Sequence, residues 1–284
     1  MHIEAVTTNR KIVANHLAYI HLYMFLVAGQ AMLVVAHTDI GIKKLVNQDS
    51  LIVREVKLQD GSSVMFAAVC DGMGGLSNGE IASKETVDTI TRWFDERLPG
   101  LLQDGLTNNS LRESLNEYIL DVDEKLNTFS DEEGACGTTL AGLFLFNGRY
   151  ACVNIGDSRV YYLHKDEIFQ ITHDQTVTQK EIDAGRMTET EAAKDKRRSI
   201  LLQCIGAGGD VVPAYKFGIY AKGDVFLICS DGFRHKLKLE EIAKMFRPDS
   251  MTNEEIMKSV AVEAIEINKE RRERDNISVI VIKV

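Results

Sequence analysis

Hydrophobic positions along the chain fall into two kinds of pattern. Short apolar runs bounded by polar or glycine-containing breaks predict strands at about 31–38, 50–57 and 63–70. Two longer segments then carry apolar residues at helical spacing. In the first, Gly79 to Leu98, the residues Ile81, Val87, Ile90, Phe94 and Leu98 share a face. In the second, about Ser110 to Phe129, Leu111, Leu115, Tyr118, Val122 and Leu126 do the same. Both stripes are read as core packing. A block of strands follows. Thr138 to Phe146 and Arg149 to Ile155 flank Asn147-Gly148, a strong hairpin signal. Val160 to His164 and Glu167 to Ile171 flank the polar turn Lys165-Asp166. From Thr172 to Ser199 the chain is polar and helix-prone, broken at Gly185. Strands resume at about 211–220 and 224–230, helices at Leu239–Phe246 and Asn253–Arg272, and Ile277 to Val284 is the last strand.

Hairpin-linked strands imply antiparallel sheets, and there are too many of them for one flat sheet. Two stacked sheets with helices outside bury both the alternating strands and the helix stripes. The expected fold is therefore α+β, a four-layer α/β/β/α sandwich in one domain over 31–284. Residues 1–30 form an extension of uncertain structure. From Ile12 to Thr38 there is no Lys, Arg, Asp or Glu, and Leu17 to Ala36 is about as long as a bilayer-spanning helix. Arg10 and Lys11 precede it, as in a signal sequence. Ala31 to His37 is also the first strand, however, which leaves Ile12 to Gly29, interrupted by His16 and His21. An anchor, a packed extension and a translation start at Met32 all stand as readings, the packed extension being preferred over membrane contact.

The net charge of −9 argues against sequence-independent nucleic-acid binding, which needs a basic face. Cys70, Cys136, Cys152, Cys204 and Cys229 show no Cys-x-x-Cys spacing, and most lie in apolar runs. They read as buried thiols, which points to a reducing, cytoplasmic setting.

Candidate chemistry lies at strand ends. Asp49 opens a strand, Asp71-Gly72 ends one, Asp231-Gly232 ends another and Asp275 precedes the last. Asp157 sits at a strand-to-strand turn. Each alone is an everyday turn residue. Five of them in separate segments, each beside an apolar strand, are what an oxygen-ligand site for hard divalent cations requires.

The stretch Thr38-Asp39-Ile40-Gly41-Ile42-Lys43-Lys44-Leu45-Val46-Asn47-Gln48-Asp49 resembles the opening motif of the metal-dependent PPM (PP2C-type) Ser/Thr protein phosphatases of bacteria. Asp71-Gly72-Met73-Gly74-Gly75 with Gly79-Glu80 and Ala82-Ser83 is similar to the second motif. Gly137-Thr138-Thr139, Gly156-Asp157-Ser158-Arg159, Ser230-Asp231-Gly232 and Asp275-Asn276-Ile277-Ser278 are similar to later motifs, in the family's order. The resemblance covers about Thr38 to Val284. It implies hydrolysis of phosphoserine and phosphothreonine in proteins, the targets of a Ser/Thr kinase, by a metal-activated water. It further implies a centre of two Mn²⁺ or Mg²⁺ ions with a third, weaker one. Asp71 would bridge the pair, Asp231 and Asp275 would bind one ion, the Gly72 carbonyl the other, and Asp49 a metal-bound water. Asp157, with Asp231, would bind the third ion. Thr172 to Ser199 would be the family's flap.

Three positions depart from the family's pattern. Lys44 stands where Arg usually grips the substrate phosphate, keeping the charge without the bidentate fork. Gln48 stands where Glu is frequent, and Met73 where some members have His. These departures keep open a second reading, a catalytically weak or inactive regulatory module on the same fold. A two-metal nuclease is a third reading, disfavoured by the negative charge and the lack of a basic groove.

Overall fold

Alternation within the strands determines where each sheet buries its side chains. The computed structural model describes residues 10–14, 32–74, 78–133 and 136–284. One sheet runs in the order β1 (Arg10–Ala14), β3 (Asp49–Lys57), β4 (Ser63–Gly74), β6 (Leu140–Phe146), β7 (Arg149–Ile155) and β10 (Ala214–Ile219), and the short β5 (Cys136–Thr138) pairs with the end of β4. The other runs β2 (Leu33–Asp39), β12 (Ile277–Lys283), β11 (Val225–Cys229), β8 (Arg159–His164) and β9 (Glu167–Gln170). Neighbouring strands are antiparallel in both sheets.

Helices α1 (Asn78–Arg92) and α3 (Asn108–Glu133) cover the first sheet, while α6 (Asp231–Arg234), α7 (Leu239–Met245) and α8 (Glu254–Glu270) cover the second. The expected four-layer sandwich is what forms. Arg10–Ala14, part of the segment read as an N-terminal extension, pairs with β3 at the sheet edge. Residues 1–9 and 15–31 lie outside the described residues, and with them most of the stretch considered as an anchor. Among the described residues no helix is long and apolar enough to cross a membrane.

In β4, Val64, Phe66, Ala68 and Cys70 pack under the helices, while Met65, Ala67 and Val69 face the other sheet. The inter-sheet layer also takes Leu51 and Val53 from β3, Phe226 and Ile228 from β11, and Ile280 and Ile282 from β12. Because the side-chain period is two, continuing each of these series to the strand end puts Asp49, Asp71, Ser230 and Ser278 on the same inner face. The apolar layer thus gives way to a polar mouth at one end of the sandwich.

Two details differ from the sequence reading. The helix predicted from Gly79 to Leu98 is helical throughout but not α throughout. It widens into a π turn at Trp93–Arg97 and restarts as α2 (Leu98–Gln103), with Pro99 in the first turn. A proline has no N–H to continue the ladder but suits a helix start. Ile81, placed on the buried face, is 41% exposed. In Thr172–Ser199 two short helices form, α4 (Val177–Asp183) and α5 (Glu189–Ala192), each with a threonine cap.

Trp93 anchors the helix-facing core. It is fully buried, meets Phe66, Phe94 and Phe144 edge-on, and its Nε1 donates to Ser114 Oγ at 3.0 Å. Trp93→Ala is expected to lower stability by about 3–5 kcal/mol, read as a drop in the urea midpoint with little change in slope.

Candidate metal centre

The site is built from five segments that meet at the polar mouth. Asp49 and Asp71 are direct partners across the β3–β4 ladder. Asp231 begins α6, so its carboxylate stands at the start of a helix that follows β11 directly. Asp275 precedes β12, and Asp157 lies in the turn between β7 and β8. Burial falls off from the interior outward. Asp49 and Asp157 are buried, the Asp231 side chain is 14% exposed and that of Asp275 is 37% exposed.

Backbone contacts hold these residues in place. Thr139 N and Thr138 Oγ1 both donate to the Asp71 carbonyl, at 2.9 and 3.0 Å, and Asp71 N donates to Thr139 Oγ1 at 3.0 Å. The Gly137-Thr138-Thr139 motif therefore clamps the Asp71 peptide. A Cβ on Gly72 would lie 2.1 Å from the Gly79 carbonyl oxygen and 2.5 Å from that of Gln48. Only glycine lets the start of α1 approach this strand so closely. Ser83 Oγ then fastens the helix by donating to the Gln48 carbonyl at 2.6 Å.

The segment carrying Lys44 is pinned by Asn276. Its Nδ2 donates to the Ile40 and Val46 carbonyls at 3.0 and 3.2 Å, and its Oδ1 accepts from Gln48 N at 2.9 Å. Gly41 has φ +75°, and a Cβ there would lie 2.2 Å from the Asp275 carbonyl oxygen. Lys44 Nζ, at the end of this pinned turn, stands 2.7 Å from Asp275 Oδ1. Asn47 ties the same region to the interior, donating to Thr38 Oγ1 at 2.7 Å, and Thr38 Oγ1 in turn shares a hydrogen bond with Ser278 Oγ at 2.8 Å. The two asparagines were visible in the sequence as motif letters, but their role as struts was not.

The carboxylates act on one another electrostatically. Burial lifts Asp49 to about 7; the hydroxyls of Ser278 and Ser230 work against this, and the charges of Asp231 and Asp275 add to it. Asp71 is raised well above the usual carboxylate range by burial, then by Asp49, Asp231, Asp275 and Asp157. Asp231 rises to about 6 through burial, with Arg234 opposing and Asp275 and Glu273 adding. Burial would lower the Lys44 ammonium, yet its bond to Asp275 and the charges of Asp275, Asp71 and Asp49 raise it.

Sequence reasoning passed over two neighbours of this group. His235 Nε2 lies 3.4 Å from Asp231 Oδ2 and Nδ1 lies 3.7 Å from Glu273 Oε2; burial and then Arg234 push its pKa down to about 4. Arg234 makes a buried pair with Asp157. The signal for both was their place three and four residues after Asp231, which one helical turn carries to the same side. His173, by contrast, bonds Asp183 at 2.8 Å within the flap and is 60% exposed.

The donor set suits hard cations. Ser278 and Ser230 both donate to Asp49 Oδ2, at 2.6 and 2.9 Å, while Asp49 Oδ1 and Asp231 Oδ1 are buried with no hydrogen-bond partner. A buried carboxylate oxygen without a donor is costly unless a cation meets it. Among the described residues no three carboxylate, imidazole or thiol groups are drawn in to ligand distance. Charged carboxylates set near one another repel, and either a proton or a cation relieves that.

A raised carboxylate pKa means stability present at low pH and lost as pH climbs through the folded value. For Asp49 the window runs from about 4 to about 7. In chelator, Asp49→Asn, which keeps an acceptor for the two serines, is expected to be more stable than the parent at pH 8 by roughly 2–4 kcal/mol. The gap should shrink to about a third by pH 5 and close toward pH 4, as followed by thermal melts of both proteins.

Comparison with known proteins places the chain in a family. The sequence model of the family described as Protein phosphatase 2C matches residues 41–268. The protein phosphatase PhpP of Streptococcus pneumoniae is 30% identical over 215 residues, covering 75% of this chain and 83% of that protein. The solved serine/threonine phosphatase of S. agalactiae superposes with a TM-score of 0.77 at 26% identity, covering 89% of this chain and 99% of the other. The catalytic domain of the serine/threonine protein phosphatase PstP, solved in complex with two manganese ions, gives a TM-score of 0.71 at 25% identity over 89% of this chain and 97% of that one. The chain belongs to the protein phosphatase 2C family and, with it, to the protein serine/threonine phosphatases.

Proposed function

We propose that this protein hydrolyses phosphoserine and phosphothreonine in proteins at a centre of two divalent cations, Mn²⁺ or Mg²⁺. The observation that carries the reading is the pair of partnerless buried oxygens, Asp49 Oδ1 and Asp231 Oδ1, within one group of mutually repelling carboxylates. The solved PstP domain with two manganese ions supports it. Asp71, Asp231, Asp275 and the Gly72 carbonyl would hold the ions, with Asp49 behind them. Bound there, two such cations supply an activated water and neutralise the phosphoryl oxygens.

The chain's own residues do the rest. Ser230 and Ser278 fix the Asp49 carboxylate through one oxygen and leave the other to accept. Lys44, charged and anchored beside Asp275, offers its ammonium to the incoming phosphate dianion. Any phosphate that takes it competes with Asp275, and a single ammonium grips less firmly than a guanidinium fork. The flap, Thr172 to Ser199, borders a cavity of about 490 Å³ that reaches Asp157, and would receive the protein around the phosphoresidue. The substrates would be proteins phosphorylated by a Ser/Thr kinase.

With a phosphothreonine peptide and Mn²⁺, Asp231→Ala is expected to lower kcat/KM by at least about a hundredfold. Equal rates for the variant and the parent would sink the proposal. Lys44→Ala should act mainly on KM, raising it by about tenfold, and Lys44→Arg should lower KM below that of the parent.

A further inference from the structure

Beside the proposed ion ligands lies a second buried ionic group. Arg234, three residues after Asp231, has a side chain 12% exposed. Its Nη2 donates to the Asp157 carbonyl at 2.9 Å and to Asp157 Oδ2 at 3.1 Å, and stands 3.4 Å from Asp174 Oδ2. Arg159 grips the same Asp174 through two bonds, Nε to Oδ1 at 2.8 Å and Nη2 to Oδ2 at 2.7 Å. Gln170 Nε2 also donates to Asp174 Oδ1 at 3.1 Å. Two guanidinium groups thus face two carboxylates, and the group is neutral within itself. Asp174 lies at the root of the flap, and all four charged residues line the wall of the flap cavity.

We propose that the Arg234 guanidinium takes, at Asp157, the place that the resemblance gives to a third cation, so that this chain holds two divalent ions and binds no third one there. The inference rests on the two-ion reading above and concerns only Asp157. A divalent ion beside Asp157 would be pressed against a like charge in a poorly screened setting. Moving Arg234 away would leave an uncompensated charge in a buried site and break its contact with Asp174, which is far more costly than breaking an exposed pair. Arg234 is then a positioning residue. It holds Asp157 next to Asp231 and ties that turn to the base of the flap.

The test is calorimetric titration of the metal-stripped full chain with MnCl₂. The parent is expected to bind two ions. Asp157→Asn should bind the same two with affinities changed by less than about threefold. Arg234→Gln should gain one additional weak site, which Arg234→Gln/Asp157→Asn should lack, and Arg234→Lys should again bind two. Loss of one ion in Asp157→Asn with the others retained would overturn the inference while leaving the two-ion centre standing. So would the absence of any gain in a folded Arg234→Gln. Should Arg234→Gln fail to fold, the Asp157→Asn comparison decides alone. A parent chain that binds no Mn²⁺ would overturn the two-ion reading itself, and this inference with it.

Discussion

Repulsion among carboxylates brought to one end of a sandwich is the constraint around which the rest of the molecule is organised. Asp49 and Asp71 face each other across a ladder, on the face that further along buries Leu51, Val53, Met65, Ala67 and Val69. Folding stability comes from that apolar layer and from the two helix-facing cores. It is spent in part on holding acidic groups where burial disfavours their charge. This is the pattern expected of a binding site, in which local rules are broken and compensated elsewhere.

The compensation is specific. Serines and threonines replace apolar residues at the inner-face positions nearest the mouth: Thr38, Thr139, Ser158, Ser230 and Ser278. Thr139 and Ser158 share a bond at 2.7 Å, and Ser230 and Ser278 take one oxygen of Asp49. Asn276 and Asn47 then brace the loop that presents Lys44 against Asp275. Preorganised donors of this kind lower the reorganisation needed when charge arrives.

A different balance holds on the flap side. There the acidic residues Asp157 and Asp174 are matched by Arg159 and Arg234. Burial would raise the Asp174 carboxyl, but the Arg159 bond and the charges of Arg234 and Arg159 together hold it below the usual carboxylate range. The two halves of the acidic end are therefore electrostatically unlike. One half is a group of carboxylates that raise one another's pKa, and the other a set of closed ion pairs.

Element types and the order of motifs were legible in the sequence, because a period of two or of 3.6 is written locally and Asp-Gly at a strand end is a local signal. So was the placement of Asp49, Asp71, Asp231 and Asp275 at strand ends. The π turn at Trp93–Arg97 was not legible, since the apolar stripe from Val87 to Leu98 runs through it unchanged. Asn276 as a strut, and Arg234 beside Asp157, are contacts between residues 40 to 46 and 276, and between 157 and 234. No local pattern encodes which distant polar group will meet another; that is decided only when packing of the two sheets brings their ends together. The sequence by itself determined the strands, the helices and the acidic stations, whereas tertiary structure decided which charges face carboxylates and which face guanidinium groups.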